Sequence, residues 1–252
     1  MMKKFVLIAA LLVAGCATSQ KSPPADAGAG DAARSAEEIL ADGARLLGDG
    51  QRKRAIEEFD KAIALCESRL EAEASGKKVY ASRGADESLA YMVMAAAAGE
   101  EAITIETPCA DALYLRGFAS LDSGLLEQAE EYIKRAVAIS PLNSLYLSEL
   151  GHIYNVKREW QRSVDAFRES EKFAETYSPP ALKEQELARA KRGVGFGLIE
   201  LGKIDEAEAK FRECLEIDRN DKNALHELEY IEELRSNPPP DPYSGSSASP
   251  PN

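Results

Sequence analysis

Histidine, clustered cysteine and surplus positive charge are all scarce in this chain, and each scarcity excludes a class of function. Only two histidines, His152 and His226, occur in 252 residues. Neither has a visible nucleophile partner, and the GxSxG, Walker and HExxH motifs are missing, so hydrolase, nucleotide and zinc-peptidase chemistry have no machinery. The four cysteines form no CxxC, and no Cys/His spacing suits a metal. Lys and Arg number 31 against 43 Asp and Glu, a net charge of −12. A general nucleic-acid binder needs a basic face to displace counterions from phosphates. The expectation is no catalytic residue, no metal, no cofactor and no nucleic acid; the chain does not read as an enzyme.

Long apolar runs are also lacking. "FVLIAALLVA", residues 5–14, follows the two cations of "MMKK", but it is too short for the about 20 residues of a spanning helix. It has the proportions of a signal-peptide core. The four residues "VAGC" close it. Val13, Ala14, Gly15 and Cys16 resemble, in order, the lipobox of bacterial lipoproteins. The resemblance implies cleavage before Cys16, alkylation of its thiol and acylation of the new amine; several acyl chains anchor a protein stably where one does so only marginally. Ala17 rather than Asp follows the cysteine, which by the same resemblance implies transfer to the outer membrane. Residues 17–34, "ATSQKSPPADAGAGDAAR", read as a flexible tether, a coil spanning roughly 20–25 Å. "SNPPPDPYSGSSASPPN" has the composition of a disordered tail.

Between these ends the chain is rich in Ala, Leu, Glu and Arg, with apolar residues three and four apart, the helical period. Pairs such as Glu57 and Lys61, Glu130 and Lys134, and Glu208 and Arg212 have the spacing of solvated helix faces. Four segments repeat one pattern: "GARLLGDGQRKRAIEEFDKAIAL" from Gly43, "GFASLDSGLLEQAEEYIKRAVAISP" from Gly117, "GHIYNVKREWQRSVDAFRES" from Gly151 and "GFGLIELGKIDEAEAKFRECLEI" from Gly195. Each has a small residue 12 places after its first glycine and another 7 places later.

These segments resemble the tetratricopeptide repeat, a helix–turn–helix of 34 residues. The resemblance implies an all-α superhelix of about five units, 36–69, 70–103, 110–143, 144–177 and 188–221. Small residues belong where the two helices of a unit cross, at Gly43, Gly117, Gly151 and Gly195, then Ala55, Ala129, Ser163 and Ala207, then Ala62, Ala96, Ala136, Ser170 and Cys214. Gly50, Gly84, Gly124 and Gly202 are expected to end first helices in left-handed conformation, with Arg158 in that place in the fourth unit. Phe59, Val93, Ile133, Phe167 and Phe211 are expected to fill the gaps between units. The second unit is degenerate, with Lys77 and Leu89 at small-residue positions. "SPPALKEQEL" is expected to lengthen the first helix of the last unit, and residues 221–235 to form a capping helix. The domain organisation is therefore 1–15 signal peptide, 16–35 lipidated cysteine and tether, 36–235 solenoid and 236–252 tail.

Cys66 and Cys109 are open to pairing in an oxidising periplasm. A regular stack, however, would set them two units apart, beyond disulfide reach. Cys214 reads as core filler. In this family the inner face of the first helices tends to line a groove, which here implies Tyr114, Phe118 and Leu121, then His152 and Asn155, then Arg189, Arg192 and Phe196. Aromatics beside arginines suit a peptide, although Phe118 and Phe196 are equally at home packed between helices. The family's carboxylate clamp for chaperone tails is not reproduced. The expected function is a lipid-anchored, periplasm-facing outer-membrane scaffold for protein partners in the envelope. A regulator of cell-wall enzymes and a structural or stress-related lipoprotein are the alternatives.

Overall fold

The computed structural model describes residues 34–237. The expected signal peptide, Cys16, the tether before Arg34 and the tail beyond residue 237 lie outside the described residues. The chain begins with α1 (Ala36–Gly48) and α2 (Arg52–Ala74). A β–α–β segment follows, with β1 (Lys78–Ala81), α3 (Ala85–Ala98) and β2 (Ala102–Ile105). Three further pairs are α4 (Pro108–Asp122) with α5 (Leu126–Ile139), α6 (Ser144–Val156) with α7 (Trp160–Tyr177), and α8 (Lys183–Glu200) with α9 (Ile204–Ile217). The last helix is α10 (Lys222–Ser236). The fold is an all-α solenoid interrupted by one pair of short strands.

Local chemistry sets the ends of these helices. Ser35 and Glu38 close a capping box on α1, each satisfying a backbone donor of the other. Asn143 and Asp221 cap α6 and α10 through their side-chain oxygens. Gly50, Gly124 and Gly202 have φ of 74°, 77° and 73°, the left-handed turn between the helices of a pair. In the fourth unit Arg158 takes this conformation at φ 59°, despite the steric cost of its Cβ. The helix α8 starts five residues before the repeat boundary at 188, so the extra segment does lengthen it.

Within each of the four regular pairs a glycine of the first helix meets a large apolar side chain of the second. A Cβ on Gly43 would strike Phe59, one on Gly117 would strike Ile133, and one on Gly195 would strike Phe211. The Phe167 ring lies between Gly151 of its own unit and Gly193 of the next. These four large side chains are buried, as are Ala55, Ala62, Ala129, Ala136, Ser163, Ser170, Ala207 and Cys214. Each fully buried Phe or Ile contributes about 1.5–3 kcal/mol relative to exposure. The surface pairs also form, with Glu130 to Lys134 at 2.6 Å and Glu208 to Arg212. Lys61 instead pairs with Glu58, at 2.6 Å.

The second unit departs from the expected helix pair. Ser75 and Gly76 both take positive φ, 48° and 81°, and stop α2. "KVYA" and "AITI" then pair as parallel strands, Lys78 opposite Ala102 through Ala81 opposite Ile105, with α3 as the crossover. Val, Ile, Thr and Tyr favour such pleated pairing. Gly84 is extended rather than left-handed, at φ 178°, and sits at the start of α3. Val93 fills no gap, being 61% exposed, and Ala96 is exposed as well.

The insertion leaves the flanking units in direct contact, because α2 packs on α4. The two units are neighbours in space although 34 residues of pattern separate them. That overturns the spacing argument against a disulfide: Cys66 and Cys109 are bonded, their Cα atoms 5.5 Å apart. Arg116 on α4 reaches Asp60 on α2 at 2.7 Å across the same junction.

The β–α–β segment docks on the edge of the solenoid. Ser140 Oγ donates to the Ala81 carbonyl at 2.7 Å, and the Leu142 amide donates to the Tyr91 hydroxyl at 3.2 Å. Tyr80 and Tyr91 stack with centroids 4.8 Å apart. Arg83 donates to Glu87 on α3 at 2.8 Å and to Glu186 on α8 at 2.9 Å. Ser144 and Ser178 also donate to Glu186. Burial alone would lower the Arg83 pKa, but the two carboxylates outweigh it and hold the guanidinium charged.

Candidate functional site: the inner wall of the solenoid

The helices α4, α6, α8 and α10 touch one another in succession, whereas no comparable contact joins α5, α7 and α9. Helices of one set can meet in this way only on the inside of the curve. The first helices therefore form the inner wall, and its residues come from one stripe of each.

Much of that wall is already engaged within the fold. Tyr114 on α4 is buried and stacks on Tyr146 of α6, with centroids 5.3 Å apart. Phe118 lies 6.4 Å from Tyr114, half-buried. Leu121 packs against the main core. The Tyr146 hydroxyl donates to Asp111 at 2.6 Å, where burial raises the carboxyl above its ordinary value. Arg189 on α8 donates to Glu149 on α6 at 2.5 Å. Burial pushes the Tyr114 phenol up, with Glu149 adding to the rise and Arg189 opposing it. Desolvation disfavours the Arg189 charge, but Glu149 more than offsets this. Arg192 pairs with Asp221, the N-cap of α10.

Tyr114, Arg189 and Arg192 thus brace successive units. The open part of the wall lies between α6 and α8. His152 is exposed, Val156 is 46% exposed and Phe196 is 38% exposed. Asn155 is half-buried, and its Oδ1 has no hydrogen-bond partner. Phe196 meets Trp160 edge-on at 6.3 Å. The structure brings His152, Asn155 and Phe196 to this open stretch, while Phe118 and Leu121 lie farther along the wall. Val156 was not among the expected residues, although it directly follows Asn155 at position 13 of the fourth unit, where the repeat also lines its groove.

Such a surface offers shape and apolar contact. Among the described residues no three His, Cys, Asp or Glu side chains are grouped to hold a metal ion. No described helix is long and apolar enough to cross a membrane.

The wall and the glycine-to-ring packing define a helical-repeat interaction scaffold. The family model for the tetratricopeptide repeat matches residues 110–141 and 198–221, so the chain carries tetratricopeptide repeats. Those spans fall in the third unit and at the end of the fifth. Two solved structures with TM-scores above 0.5 share the fold. Pseudomonas aeruginosa pilF is 15% identical with a TM-score of 0.55, over 80% of this chain and 69% of that one. A MamA RS-1 double mutant is 10% identical with a TM-score of 0.52, over 80% of this chain and 85% of that one. The first repeat domain of Spaghetti (RPAP3), bound to an HSP90 peptide, is 17% identical with a TM-score of 0.46, over 52% of this chain and 97% of that one. No curated protein matches the chain in sequence.

Proposed function

We propose that the protein is an envelope lipoprotein, anchored through Cys16 to the outer membrane and facing the periplasm, whose solenoid holds a protein partner along its inner wall. The observation that carries the reading is the open stretch formed by His152, Asn155, Val156 and Phe196. Apolar area is left there beside an unsatisfied amide oxygen, which suits a peptide that supplies an apolar side chain and a backbone N–H. The lipobox pattern and the tether support the anchor. The closed disulfide also agrees with an oxidising compartment.

Phe196→Asp with His152→Glu is the variant that tests the wall, since both side chains are exposed apart from the edge-on contact of Phe196 with Trp160. Tyr114 and Arg192 are unsuitable, because their loss would break contacts between units. A photocrosslinker at Phe196 is expected to enrich a defined envelope protein, and the same group at Arg212, 70% exposed on α9, is not. Equal recovery from the two positions would remove the inner-wall reading. Labelling with a palmitate analogue tests the anchor separately; Cys16→Ser is expected to abolish it, and equal labelling of both chains would end that part of the proposal.

A further inference from the structure

One face of α3 is committed and the other is bare. Tyr91 and Ala95 are buried with Tyr80 and Leu142, and Glu87 is held by Arg83. On the far side Leu89 is 67% exposed and Val93 61%, with Met92 at 41% and Met94 at 40% on its two flanks. Ala96, Ala97 and Ala98 continue the exposed surface. No residue from Ser88 to Gly99 carries a charge. Of the exposed large apolar side chains in the described residues, four fall in this short span. Of the others, Val156 and Phe196 belong to the open stretch of the wall and the rest are far apart in the sequence, whereas contiguous exposed patches mark contact sites.

The place of the insertion indicates what covers this face. Arg34 and Ser35, where the tether joins the fold, line one recess with Cys66 and Cys109. Cys109 lies in the first turn of α4, four residues beyond β2. The tether therefore enters at the foot of the insertion. A flexible chain of 18 residues spans about 20–25 Å, and α3 is about 21 Å long at 1.5 Å per residue. An anchor at Cys16 keeps α3 within reach of the surface that holds it.

We propose that the bare face of α3 is a second membrane contact, lying in the interfacial layer of a phospholipid surface and fixing how the solenoid stands on it. The inference rests on reading Cys16 as the lipid anchor. Apolar helix faces enter the headgroup and acyl boundary in this way, and the attachment need not be strong when a lipid anchor supplies the affinity. One face of a 14-residue helix falls short of the roughly 800 Å² per partner of a stable dimer, which argues against a second copy as the occupant. A net charge of −12 repels anionic headgroups, so zwitterionic lipid is the matching surface.

The test holds the chain from residue 16 onward on vesicles independently of acylation. Cys16→Ser carries an N-terminal hexahistidine bound to a nickel-chelating lipid in phosphatidylethanolamine and phosphatidylcholine. With Cys66 and Cys109 bonded and Cys214 buried, an environment-sensitive fluorophore attaches at Val93→Cys, or at Arg212→Cys as the control. Emission at position 93 is expected to shift to the blue on vesicles, and a lipid-phase quencher to reduce it at least about twofold more than at 212. Leu89→Glu in the same chain is expected to reverse both effects. Water-like emission at 93 on vesicle-bound protein would overturn the proposal. So would a blue shift without vesicles that grows with protein concentration, which would assign the face to a second copy. Failure of the anchor reading shows instead in the palmitate labelling, which this experiment does not use.

Discussion

The glycines at the helix crossings decide how closely the units approach. Phe167 shows it best, since its ring is bounded by Gly151 on one side and Gly193 on the other. Gly193→Ala places a methyl group where ring carbons already are, and a well-packed core resists such additions at about 1–3 kcal/mol. Urea denaturation should record a loss of that size, and Phe167→Leu in the same chain should recover part of it. An unchanged midpoint would show that the ring can move aside. Gly193 belonged to no expected repeat position, so only the packed neighbour explains its need to be small. Cys214 also sits at a crossing, with its thiol pushed up to about 12 mainly by burial.

At the scale of elements the insertion is held by one covalent bond and one buried ionic cluster. The disulfide joins residues separated by 43 positions and so removes loop-closure entropy from the unfolded chain, about 4 kcal/mol on the chain-entropy account. The Cys66→Ser, Cys109→Ser double variant is expected to lose about 2–4 kcal/mol and to be cleaved faster by protease between residues 75 and 106. Equal cleavage would mean that Tyr91, Ser140 and Arg83 suffice to hold the insertion. Between α5 and α6, Glu130 takes Lys134 at 2.6 Å and Lys157 at 2.5 Å. Burial raises the Glu130 pKa, but the two lysines prevail and bring it down to about 2 from an ordinary 4.5. A depressed carboxylate stabilises the fold fully above its unfolded value, and that contribution is lost as pH falls through its folded value. Stability should therefore decline between pH 4.5 and about 2, and Glu130→Gln should flatten that part of the pH profile. An identical slope in the variant would assign it to other carboxylates.

At the scale of the molecule the units behave as a stack that needs a closed end. Ala224 and Ile231 of α10 are buried with Val194, Leu198, Ala207 and Phe211. Asp221 joins that end to α8 through Arg192. A chain ending at residue 221 uncovers this apolar surface, so it should aggregate at concentrations where the full chain remains monodisperse by light scattering. A monodisperse truncated chain would show that α9 is a sufficient end. The open stretch of wall between α6 and α8 and the bare face of α3 are separate surfaces, so the partner contact and the membrane contact proposed above would not compete.

The sequence by itself determined the repeats, because small residues recurring at constant spacing, with one large apolar residue among them, are satisfied by helices that cross closely. Gly43, Gly117, Gly151 and Gly195 with Phe59, Ile133, Phe167 and Phe211 were legible for that reason, as were the left-handed turns at Gly50, Gly124 and Gly202 and the capping helix. Tertiary structure alone decided the rest. "KVYA" and "AITI" are too short to declare themselves as strands, and they pair across a helix between them, a contact that no local period records. Their pairing loops out the second unit, sets α2 against α4 and brings Cys66 to Cys109. The same held for the groove. Tyr114, Arg189 and Arg192 had the right residue types at the right positions, but Tyr146, Glu149 and Asp221, brought from other helices by the fold, engage them. What remains open on the wall depends on which partners the stack supplies to each side chain, and a sequence pattern does not contain that.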